Sequence, residues 1–533
     1  MTDILIIGSG GAGLTVALEA KKQGLKVKVL SKNYPTFSQT CQAQGGINAI
    51  LKEEESIKEF IEDTYSSSKK LANFENIKYL CENSKESILW LSSLGVPFSI
   101  DEEGNIAQRK FGGTTKKRTC YSSDYTGLKI IHTLYDTAIK ENIEFLNEYL
   151  LLNLIVENKK VIGITALNIQ TSEVIQEYAK CVVLATGGYA GLYTNFTTNS
   201  YSSTGDGLSA AIRAGAKLSN IEFVQFHPTA LKGANILISE SARGEGGYLV
   251  DNENKRFVDE LKTRDEVARA IYEKVQNDKE VFLDLRHLDE KVLNEVIPQE
   301  KRVAKEFLNI DIKKELLPIS PAAHYSMGGI LTNSKGETTL SNLFACGECA
   351  QSGIHGANRL GGNSLLELIT FGRKVAKNAI ETALKEETKE YKTSKQYLND
   401  KAFIKEVYNF PNRINFYDRK EFMGKILFKN VGIFRTDLNM KAVLSSLRQW
   451  QKEFNFMGIM DKSTYYNKNL VEFIEFGNML ELAEVLVVSA ISRCESRGSH
   501  YRIDYPTQNN YFEKNSIAYK IDGILAVDFE EVK

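Results

Sequence analysis

The sequence contains few histidines, prolines and arginines. Among 533 residues there are 6 His, 8 Pro and 18 Arg, against 49 Lys. It also lacks an excess of either charge, because 67 Lys and Arg face 68 Asp and Glu for a formal net charge of −1. Nucleic-acid binding leaves a basic footprint that this chain does not have, so we expect no nucleic-acid partner. The scarce Arg and His residues are informative wherever they occur together.

Long hydrophobic runs and densely paired cysteines are missing too. No uninterrupted apolar run approaches the roughly 20 residues of a membrane-spanning helix, and no basic or apolar leader precedes the strand-like residues 3–7. The seven cysteines are odd in number and widely scattered, unlike the framework of a small secreted domain. We expect a cytoplasmic protein that reaches a membrane only through partner subunits, with a peripheral position at the inner face of the cell membrane as a second option.

What remains is the composition of a globular protein, with 42% hydrophobic and 25% charged residues. The length is sufficient for about three or four domain-sized units, each able to bury its own core. A small disulfide-stapled protein and a disordered protein are both excluded.

A glycine-rich motif follows the first apolar run of the chain. Residues 4–7 form that run, residues 8–13 (GSGGAG) follow it, and a helix-like stretch at 14–23 leads to a second strand at 27–30. In a strand–turn–helix–strand unit, such glycines allow a tight turn and let the backbone approach a pyrophosphate, whose charge is met by the helix N-terminus. The arrangement predicts a dinucleotide-binding α/β fold.

Two features qualify that prediction. Ser31 and Lys32 stand after the second strand, where an acidic residue usually holds a ribose hydroxyl, so the adenosine contacts are left open. Residues 182–188 and 343–348 are apolar segments that end in small residues, which is typical of later strands returning beneath the same cofactor. No second G-x-G-x-x-G motif precedes another helix. We therefore predict one dinucleotide, with electrons entering or leaving by another route.

The pattern becomes helical and Lys-rich from about residue 373. The helical segments are residues 373–384, 437–454 and 469–493, with a Lys-, Glu- and Thr-rich junction near 385–395. The last segment of the chain is predicted to be a short irregular tail. Two charge runs, residues 53–55 and 116–118, are typical of solvated faces.

Four clusters collect the scarce residues. They are residues 225–229 (QFHPT), 239–247 (SESARGEGG), 263–265 (TRD), and the pair of stretches 323–329 and 355–365. Together they hold three of the 18 Arg and three of the 6 His. A lone His is more often a core residue and an isolated Arg a surface residue, so the argument for a site rests on their joint occurrence in this order.

In these motifs and their order, the chain resembles the flavoprotein subunits of fumarate reductase and succinate dehydrogenase, a family that includes L-aspartate oxidase. The resemblance extends from Gly8 to residues 495–502. It implies an α/β fold class: a Rossmann-like FAD-binding domain with an inserted α+β capping domain and a C-terminal helical domain. The expected boundaries are 1–226 and 324–384 for the two parts of the FAD-binding domain, 227–323 for the capping domain, 385–500 for the helical domain and 501–533 for the C-terminal tail.

The resemblance implies FAD as the cofactor. The residues expected to hold it are Gly8, Ser9, Gly10, Gly11, Ala12, Gly13, Ser31, Lys32, Thr40, Gln44, Gly45, Gly46, Ala185, Thr186, Gly187, Asp206, Glu348, Ser364 and Leu365. Gln39 stands where the respiratory enzymes carry a His bonded covalently to FAD, so we predict noncovalent FAD. In the family the covalent link goes with a higher flavin potential, and its absence is expected to weaken succinate oxidation more than fumarate reduction.

The resemblance also implies a small dicarboxylate substrate. Arg359 is suited to grip one carboxylate bidentately, where Lys would offer only a point charge. His324 is expected to assist at that end, while His227 and Ser239 hold the other carboxylate. Ser239 is usually Thr in the family motif, a departure that keeps the hydroxyl. Phe111 is expected to belong to the same substrate site.

For reduction, the resemblance implies Arg264 as the acid that protonates carbon. A guanidinium is a poor acid toward water, but it can protonate the much more basic carbanion-like carbon of a transition state. Glu240 and Arg243 are expected to reload it as a proton relay. Closure of the capping domain would orient the substrate and exclude water.

The remaining Cys and His residues are assigned no chemistry. Cys346 and Cys349 have the C-x-x-C spacing of a redox pair or half a metal site, but there is no second C-x-x-C in the sequence. We therefore predict no metal and two inert cysteines flanking Glu348. His132, His287 and His500 are predicted to be non-catalytic.

Two departures separate the members of the family. Aspartate oxidases also lack the covalent link, so Gln39 does not decide the substrate. They carry a Glu-Gly-Gly-His type of segment whose carboxylate faces the substrate ammonium, whereas residues 111–114 here are FGGT, as in fumarate reductases. An ammonium buried there would be unpaired and costly.

Other segments point in both directions. Met327 and residues 360–363 resemble the respiratory enzymes, while the compact length, the short stretch from Arg256 to Arg264 and residues 225–231 resemble aspartate oxidase. We predict a fumarate reductase or succinate dehydrogenase flavoprotein that serves electron transport, including anaerobic respiration. It would pass electrons to an iron–sulfur partner subunit, since the chain has no cluster motif. The alternatives are L-aspartate oxidase, a soluble reductase with another donor, and a flavin-binding subunit without turnover.

Overall fold

The computed structural model describes residues 1–52, 56–277 and 279–532, so the charge run at 53–55 lies outside the described residues. The first 220 residues carry strands β1 to β10 and helices α1 to α6. The strands are Thr2–Ile7, Val27–Ser31, Ile47–Asn48, Gln108–Arg109, Thr119–Cys120, Glu144–Asn147, Tyr149–Glu157, Lys160–Asn168, Val174–Leu184 and Leu218–Ser219. The helices are Gly11–Lys22, Ile57–Ser67, Phe74–Glu82, Ser84–Leu94, Thr126–Lys140 and Asp206–Arg213.

The middle of the chain carries strands β11 to β14 and helices α7 to α9. The strands are Val224–Leu231, Tyr248–Asp251, Val281–Asp284 and Leu317–Ser326, and the helices are Glu240–Gly244, Arg264–Gln276 and Pro298–Leu308. The last part carries β15 to β19 and α10 to α14. These strands are Gly329–Leu331, Leu343–Ala345, Ala350–Gln351, Lys514–Ile521 and Ile524–Glu531. These helices are Asn363–Lys385, Lys395–Val407, Phe416–Asn430, Asp437–Glu453 and Lys468–Ser492.

A parallel sheet supports the glycine motif. Its centre is β1, which pairs in parallel with β2 on one side and β9 on the other, and β16 adds to the far side of β9. Ile4, Leu5 and Ile6 are fully buried, which is the continuous apolar pattern of a strand covered on both faces. Both apolar segments predicted to return near the cofactor are therefore strands of this sheet.

A second unit with its own core follows. Strands β11, β14, β13 and β12 form an antiparallel sheet in that order. Its core includes Leu249, Ile271 and Leu283, and an independent core is what a domain needs. The first strand begins at Val224 and the last ends at Ser326, so both cross the boundaries predicted at 227 and 323.

The predicted helical segments lie in helices, with one difference in extent. The segment predicted from residue 373 belongs to α10, which begins ten residues earlier, at Asn363. Leu365, Leu366 and Ile369 of this first part are all buried. Asn363 and Glu367 are buried beside them, so polar residues interrupt the buried face, and the amphipathic period that would reveal the helix start is lost.

The charge run at 116–118 is solvated only in part, since Lys116 and Lys117 are exposed and Arg118 is not, and the prediction for the tail is wrong. Arg118, at the end of the charge run predicted to be solvated, is buried and donates to Asp63 at 2.6 Å. The tail predicted to be irregular contains β18 and β19, which pair as a hairpin, and β18 also pairs with β10. The turn is Asp522–Gly523, and both residues have positive φ. An Asp-Gly pair between apolar strands is a strong hairpin signal, which the prediction passed over.

Candidate active site

A cleft of about 1640 Å³ lies at the carboxyl ends of the parallel strands. It is lined by the residues that follow β1, β2, β9 and β16, which is where α/β sheets place their ligands. All predicted cofactor residues line it except Gly13, and so do His227, Ser239, His324, Arg359 and Phe111. Of the three predicted catalytic residues, Arg264 and Glu240 line the cleft, and Arg243 lies behind Glu240.

The glycine turn at one end is held by close backbone approach. Gly8 has φ +110°, and a Cβ there would lie 2.1 Å from the carbonyl oxygen of Ala185. A Cβ on Gly13 would lie 2.0 Å from the carbonyl oxygen of Gly8, so Gly13 packs α1 against the turn instead of lining the cleft. The first helical amide, that of Gly11, donates to Thr40 Oγ1 at 3.0 Å. The turn and the helix N-terminus thus form a pyrophosphate cradle.

Unpartnered polar atoms test whether this cleft suits a dinucleotide. Among the described residues, Ser38 Oγ, Gln44 Oε1 and Thr186 Oγ1 are buried without a hydrogen-bond partner, and all three residues line the cleft. Buried polar groups are nearly always paired in folded proteins. A bound group with donors and acceptors of its own would satisfy them, and the residues therefore fit FAD.

Lys32 stands after β2, where an acidic residue is usual, and it is paired with two carboxylates from distant parts of the chain. Its Nζ donates to Asp206 Oδ2 at 2.6 Å and to Glu475 Oε1 at 2.5 Å. Burial alone would lower the pKa of Lys32, but the two carboxylates raise it above its ordinary value. Glu475 comes from α14, and sequence reasoning missed it because nothing in its helix marks it as a contact of Lys32.

Gln39 also lines the cleft. Its Oε1 accepts from the backbone amide of Ser200 at 3.1 Å, and its Nε2 donates to Gln42 Oε1 at 3.2 Å. Both ends of the side-chain amide are therefore engaged with neighbouring protein groups.

Two buried guanidinium groups converge at the other end of the cleft. Arg264 begins α8, and its Nε and Nη2 donate to Glu240 Oε2 at 2.8 and 2.5 Å. Its Nη1 donates to Gln225 Oε1 at 3.2 Å, and Arg359 Nη2 donates to the same oxygen at 3.1 Å. Gln225 lies in the first sequence cluster but was not assigned a role. It holds the two arginines side by side.

The surroundings of these arginines are cationic and buried. Arg359 stacks over the ring of Tyr325 at 4.1 Å, and burial together with the charge of Arg264 lowers the pKa of Arg359 to about 10. The rings of His227 and His324 are 4.9 Å apart. Burial and Arg264 hold the pKa of each imidazole well below its ordinary value, so both are neutral hydrogen-bonding groups at neutral pH. Such a pocket suits a small anion.

The predicted relay residues are adjacent. Glu240 Oε1 accepts from the amide of Gly112 at 3.0 Å and lies 3.8 Å from Arg243 Nη2. Burial would raise the pKa of Glu240, but the charges of Arg264 and Arg243 outweigh burial and lower it. Glu240 is therefore ionised between two guanidiniums. The link to Arg243 is an ion pair rather than a hydrogen bond in this arrangement.

Ser239 and Phe111 complete the walls. Ser239 caps α7, and its Oγ accepts from the amide of Ser241 at 3.2 Å. A Cβ on Gly45 would lie 2.6 Å from Cζ of Phe111, so the phenyl ring is packed directly against the backbone at Gly45.

Of the residues assigned no chemistry, Cys346 lines the cleft and Cys349 does not. Cys349 Sγ donates to the carbonyl of Leu184 at 3.2 Å, and burial raises the pKa of Cys349 to about 11. Burial raises the pKa of Cys346 as well, so both are neutral thiols. His132, His287 and His500 lie outside the cleft residues.

Two family models match this chain, one over its first two thirds and one over its C-terminal part. Residues 3–365 match the family described as FAD binding domain, and residues 420–533 match fumarate reductase flavoprotein C-term. The succinate dehydrogenase flavoprotein subunit of Rickettsia bellii is 36% identical over 98% of this chain and 93% of its own length. The fumarate reductase flavoprotein subunit of Escherichia coli is 34% identical over 100% of this chain and 94% of its own length.

Solved structures agree with these sequence matches. An E. coli quinol fumarate reductase variant has a TM-score of 0.94 at 34% identity, with 100% of this chain and 96% of that chain covered. Mycobacterium smegmatis Sdh1 in complex with UQ1 has a TM-score of 0.87 at 30% identity, with 100% and 94% covered.

Proposed function

Because the chain belongs to the family of fumarate reductase and succinate dehydrogenase flavoprotein subunits, we propose that it interconverts fumarate and succinate with Arg264 as the proton donor. The chain is a FAD-dependent oxidoreductase. The observation that carries the proposal is the pair of buried guanidiniums of Arg264 and Arg359, joined through Gln225 at the end of the FAD cleft.

Arg359 binds one carboxylate of the substrate with its planar donor fork. His324 lies at the same end, and its Nδ1 is 2.7 Å from Thr198 Oγ1. His227 and Ser239 bind the other carboxylate, and Phe111 closes the wall beside Gly45. Because both imidazoles are neutral, the positive charge that neutralises the dianion comes from the arginines.

When bound, FAD would exchange a hydride with one substrate carbon. Arg264 holds a proton on its guanidinium facing the cleft and donates it to the adjacent carbon. Glu240, hydrogen-bonded to Arg264, and Arg243 behind it then return a proton to Arg264. We propose that residues 227–323 act as a capping domain, which carries Arg264, Glu240 and Arg243 and excludes water from the reaction when it closes.

We further propose an iron–sulfur subunit as the electron-transfer partner, since the structural relatives are a quinol fumarate reductase and an Sdh complex. In the described part of the chain, no helix is long and apolar enough to cross a membrane. We also propose a cytoplasmic location, with attachment to the inner face of the cell membrane through partner subunits.

The charges in the cleft favour fumarate over L-aspartate. The carboxylates that line it are Asp206, Glu240 and Glu348. Asp206 is paired with Lys32, Glu240 with Arg264, and Glu348 accepts from the amide of Ser326 at 2.9 Å. Of the carboxylates among the described lining residues, only Glu348 forms no ion pair, and burial raises its pKa to about 7. A substrate ammonium would therefore meet a cationic pocket whose one unpaired carboxyl is partly neutral, which disfavours its burial.

The protein purified with FAD is expected to oxidise reduced viologen in the presence of fumarate. Hydrogen peroxide production from L-aspartate should be small by comparison, because the cationic pocket disfavours the ammonium. Both rates are measured on one preparation, and their ratio decides between the two functions. Aspartate turnover without fumarate-dependent viologen oxidation would contradict the proposal.

All of the flavin should be released by acid precipitation, because Gln39 offers no nucleophilic ring nitrogen for a covalent bond. The measurement is the flavin absorbance of the supernatant and of the washed protein pellet. Flavin that stays with the pellet through denaturing electrophoresis would contradict noncovalent binding, while leaving the dicarboxylate chemistry untouched.

A further inference from the structure

A buried carboxylate lies directly behind the substrate-binding serine. Glu300 belongs to α9 and is fully buried. Its Oε1 accepts a hydrogen bond from the backbone amide of Ser239 at 2.8 Å. Its Oε2 has no hydrogen-bond partner among the described residues. The amide that Glu300 holds belongs to the residue whose hydroxyl lines the substrate end of the cleft.

Two charged groups outside the 227–323 unit interact with Glu300: Asp124, which lies before α5, and Arg109 of β4. Asp124 Oδ2 accepts from the amide of Gln299 at 2.6 Å, which ties the start of α9 to the loop before α5. Arg109 donates to the carbonyl of Gly45 at 2.5 and 3.0 Å. Burial and then the charge of Asp124 raise the pKa of Glu300 to about 8, and the hydrogen bond from the Ser239 amide and then the charge of Arg109 offset only part of this.

The two neighbours have shifted acidities as well. Burial raises the pKa of Asp124 to about 6, so Asp124 is ionised over the range in which Glu300 titrates. Burial lowers the pKa of Arg109, which also faces Glu245 and Tyr121, but the group stays charged at neutral pH. Glu300 is therefore the group of this cluster that changes charge above neutrality.

We propose that Glu300 positions Ser239 for the dicarboxylate and must carry a proton for the dianion to bind. A dianion bound to the Ser239 hydroxyl would lie close to the Glu300 carboxyl, because the backbone amide of the same serine donates to Glu300 Oε1 at 2.8 Å and both residues are buried. Like charges in such a place disfavour ionisation of the carboxyl. The protonated carboxyl still accepts the Ser239 amide through its carbonyl oxygen, so the protein keeps its geometry while losing the repulsive charge. This inference rests on the proposed function.

The sign of the pH dependence follows directly. Below about pH 8 Glu300 is already protonated, and the dianion binds without a proton cost. Above this pH each binding event must first protonate Glu300, so KM for fumarate rises by up to about tenfold per pH unit. Over the range from about pH 7 to about pH 9, the expected rise is about tenfold.

Glu300→Gln tests this, because the amide oxygen still accepts from Ser239 but cannot ionise. We expect KM of the variant to stay flat over the same pH range, while the kcat profile keeps its wild-type shape. Glu348, whose pKa is raised to about 7 by burial, titrates in both proteins and cancels in the comparison. A variant KM that rises with pH as steeply as the wild type would overturn the proposal.

Two further variants separate positioning from charge. Asp124→Asn keeps an acceptor for Gln299 but removes a negative charge, so the KM rise should begin at lower pH. Glu300→Ala removes the acceptor and should raise KM at every pH. An Asp124→Asn profile superimposable on the wild type would contradict the charge argument even if Glu300→Gln failed to fold.

Binding of malonate, followed by flavin absorbance, isolates the inference from catalysis. Malonate affinity should fall above about pH 8 in the wild type and not in Glu300→Gln. If fumarate is not reduced but malonate binding shows this difference, the proposed reaction fails and the proton linkage stands. If fumarate is reduced and both proteins bind malonate with the same pH dependence, the linkage fails and the reaction stands.

Discussion

Arg264→Lys will lower kcat for fumarate reduction by about 10²- to 10⁴-fold, the range for loss of a positioned general acid. Three hydrogen bonds fix the native guanidinium, two to Glu240 and one to Gln225. A lysine ammonium is one compact charge on a flexible stem, so it cannot reproduce the fixed hydrogen bonds to both Glu240 and Gln225. The proton would then be misplaced relative to the substrate carbon.

The flavin spectrum and KM report on the rest of the site. Arg264 does not contact the glycine turn, so the variant should bind FAD normally. KM should change less than kcat, because Arg359 still binds the substrate. Rates are measured with reduced viologen at saturating fumarate. Arg302→Lys, an exposed arginine on α9, is the matched control and should retain wild-type turnover.

A near-wild-type kcat for Arg264→Lys would remove Arg264 from the role of proton donor. A loss of flavin together with activity would instead indicate misfolding. In that case Glu240→Gln provides an independent test, since it keeps the size of the side chain but removes the charge that pairs Arg264. It should also lower kcat, with FAD retained.

Arg359→Lys will raise KM for fumarate by about 10²-fold, corresponding to the loss of one charge-assisted hydrogen bond of a bidentate pair. The native guanidinium lies over the ring of Tyr325 and donates to the amide oxygen of Gln225. Lysine cannot reproduce this stacked fork. Beside Arg264 in a buried pocket, its ammonium would also have a lowered pKa and be partly neutral.

The kinetic constant that changes most distinguishes this variant from Arg264→Lys. Arg359→Lys should change mainly KM and the affinity for malonate, while Arg264→Lys should change mainly kcat. Arg413→Lys, at an exposed position, is the control for a conservative arginine change. An unaltered malonate affinity in Arg359→Lys would contradict the assignment of Arg359 to a substrate carboxylate.

The local motifs were predictable from the sequence because their chemistry needs particular residues at short spacing. The glycine turn needs backbone conformations that other residues resist, as at Gly8. Three of the 18 Arg and three of the 6 His lie in the four clusters, and the fold brings His227, Arg264, His324 and Arg359 to one end of a single cleft. The order of these motifs was informative because it matches the order in the family. Composition and periodicity do not record that order.

Contacts between distant segments were not predictable. Glu475 meets Lys32 across 443 residues, and Glu300 meets Ser239 across 61. Each of these side chains sits in an ordinary helical pattern with no local sign of a partner. Arg118 read as a surface charge for the same reason, since only the fold supplies the buried Asp63 that pairs with it.

The sequence alone determined that this is a globular, charge-balanced protein with one dinucleotide turn and an ordered set of Arg- and His-bearing motifs. These properties reside in residue types and short spacings. Only the tertiary structure decided which carboxylates neutralise Lys32, how Gln225 joins two guanidiniums, and that Glu300 lies behind Ser239. Such pairings depend on how sheets and helices pack. A buried charge is costly unless it is paired, and the partner can come from any part of the chain that packs against it.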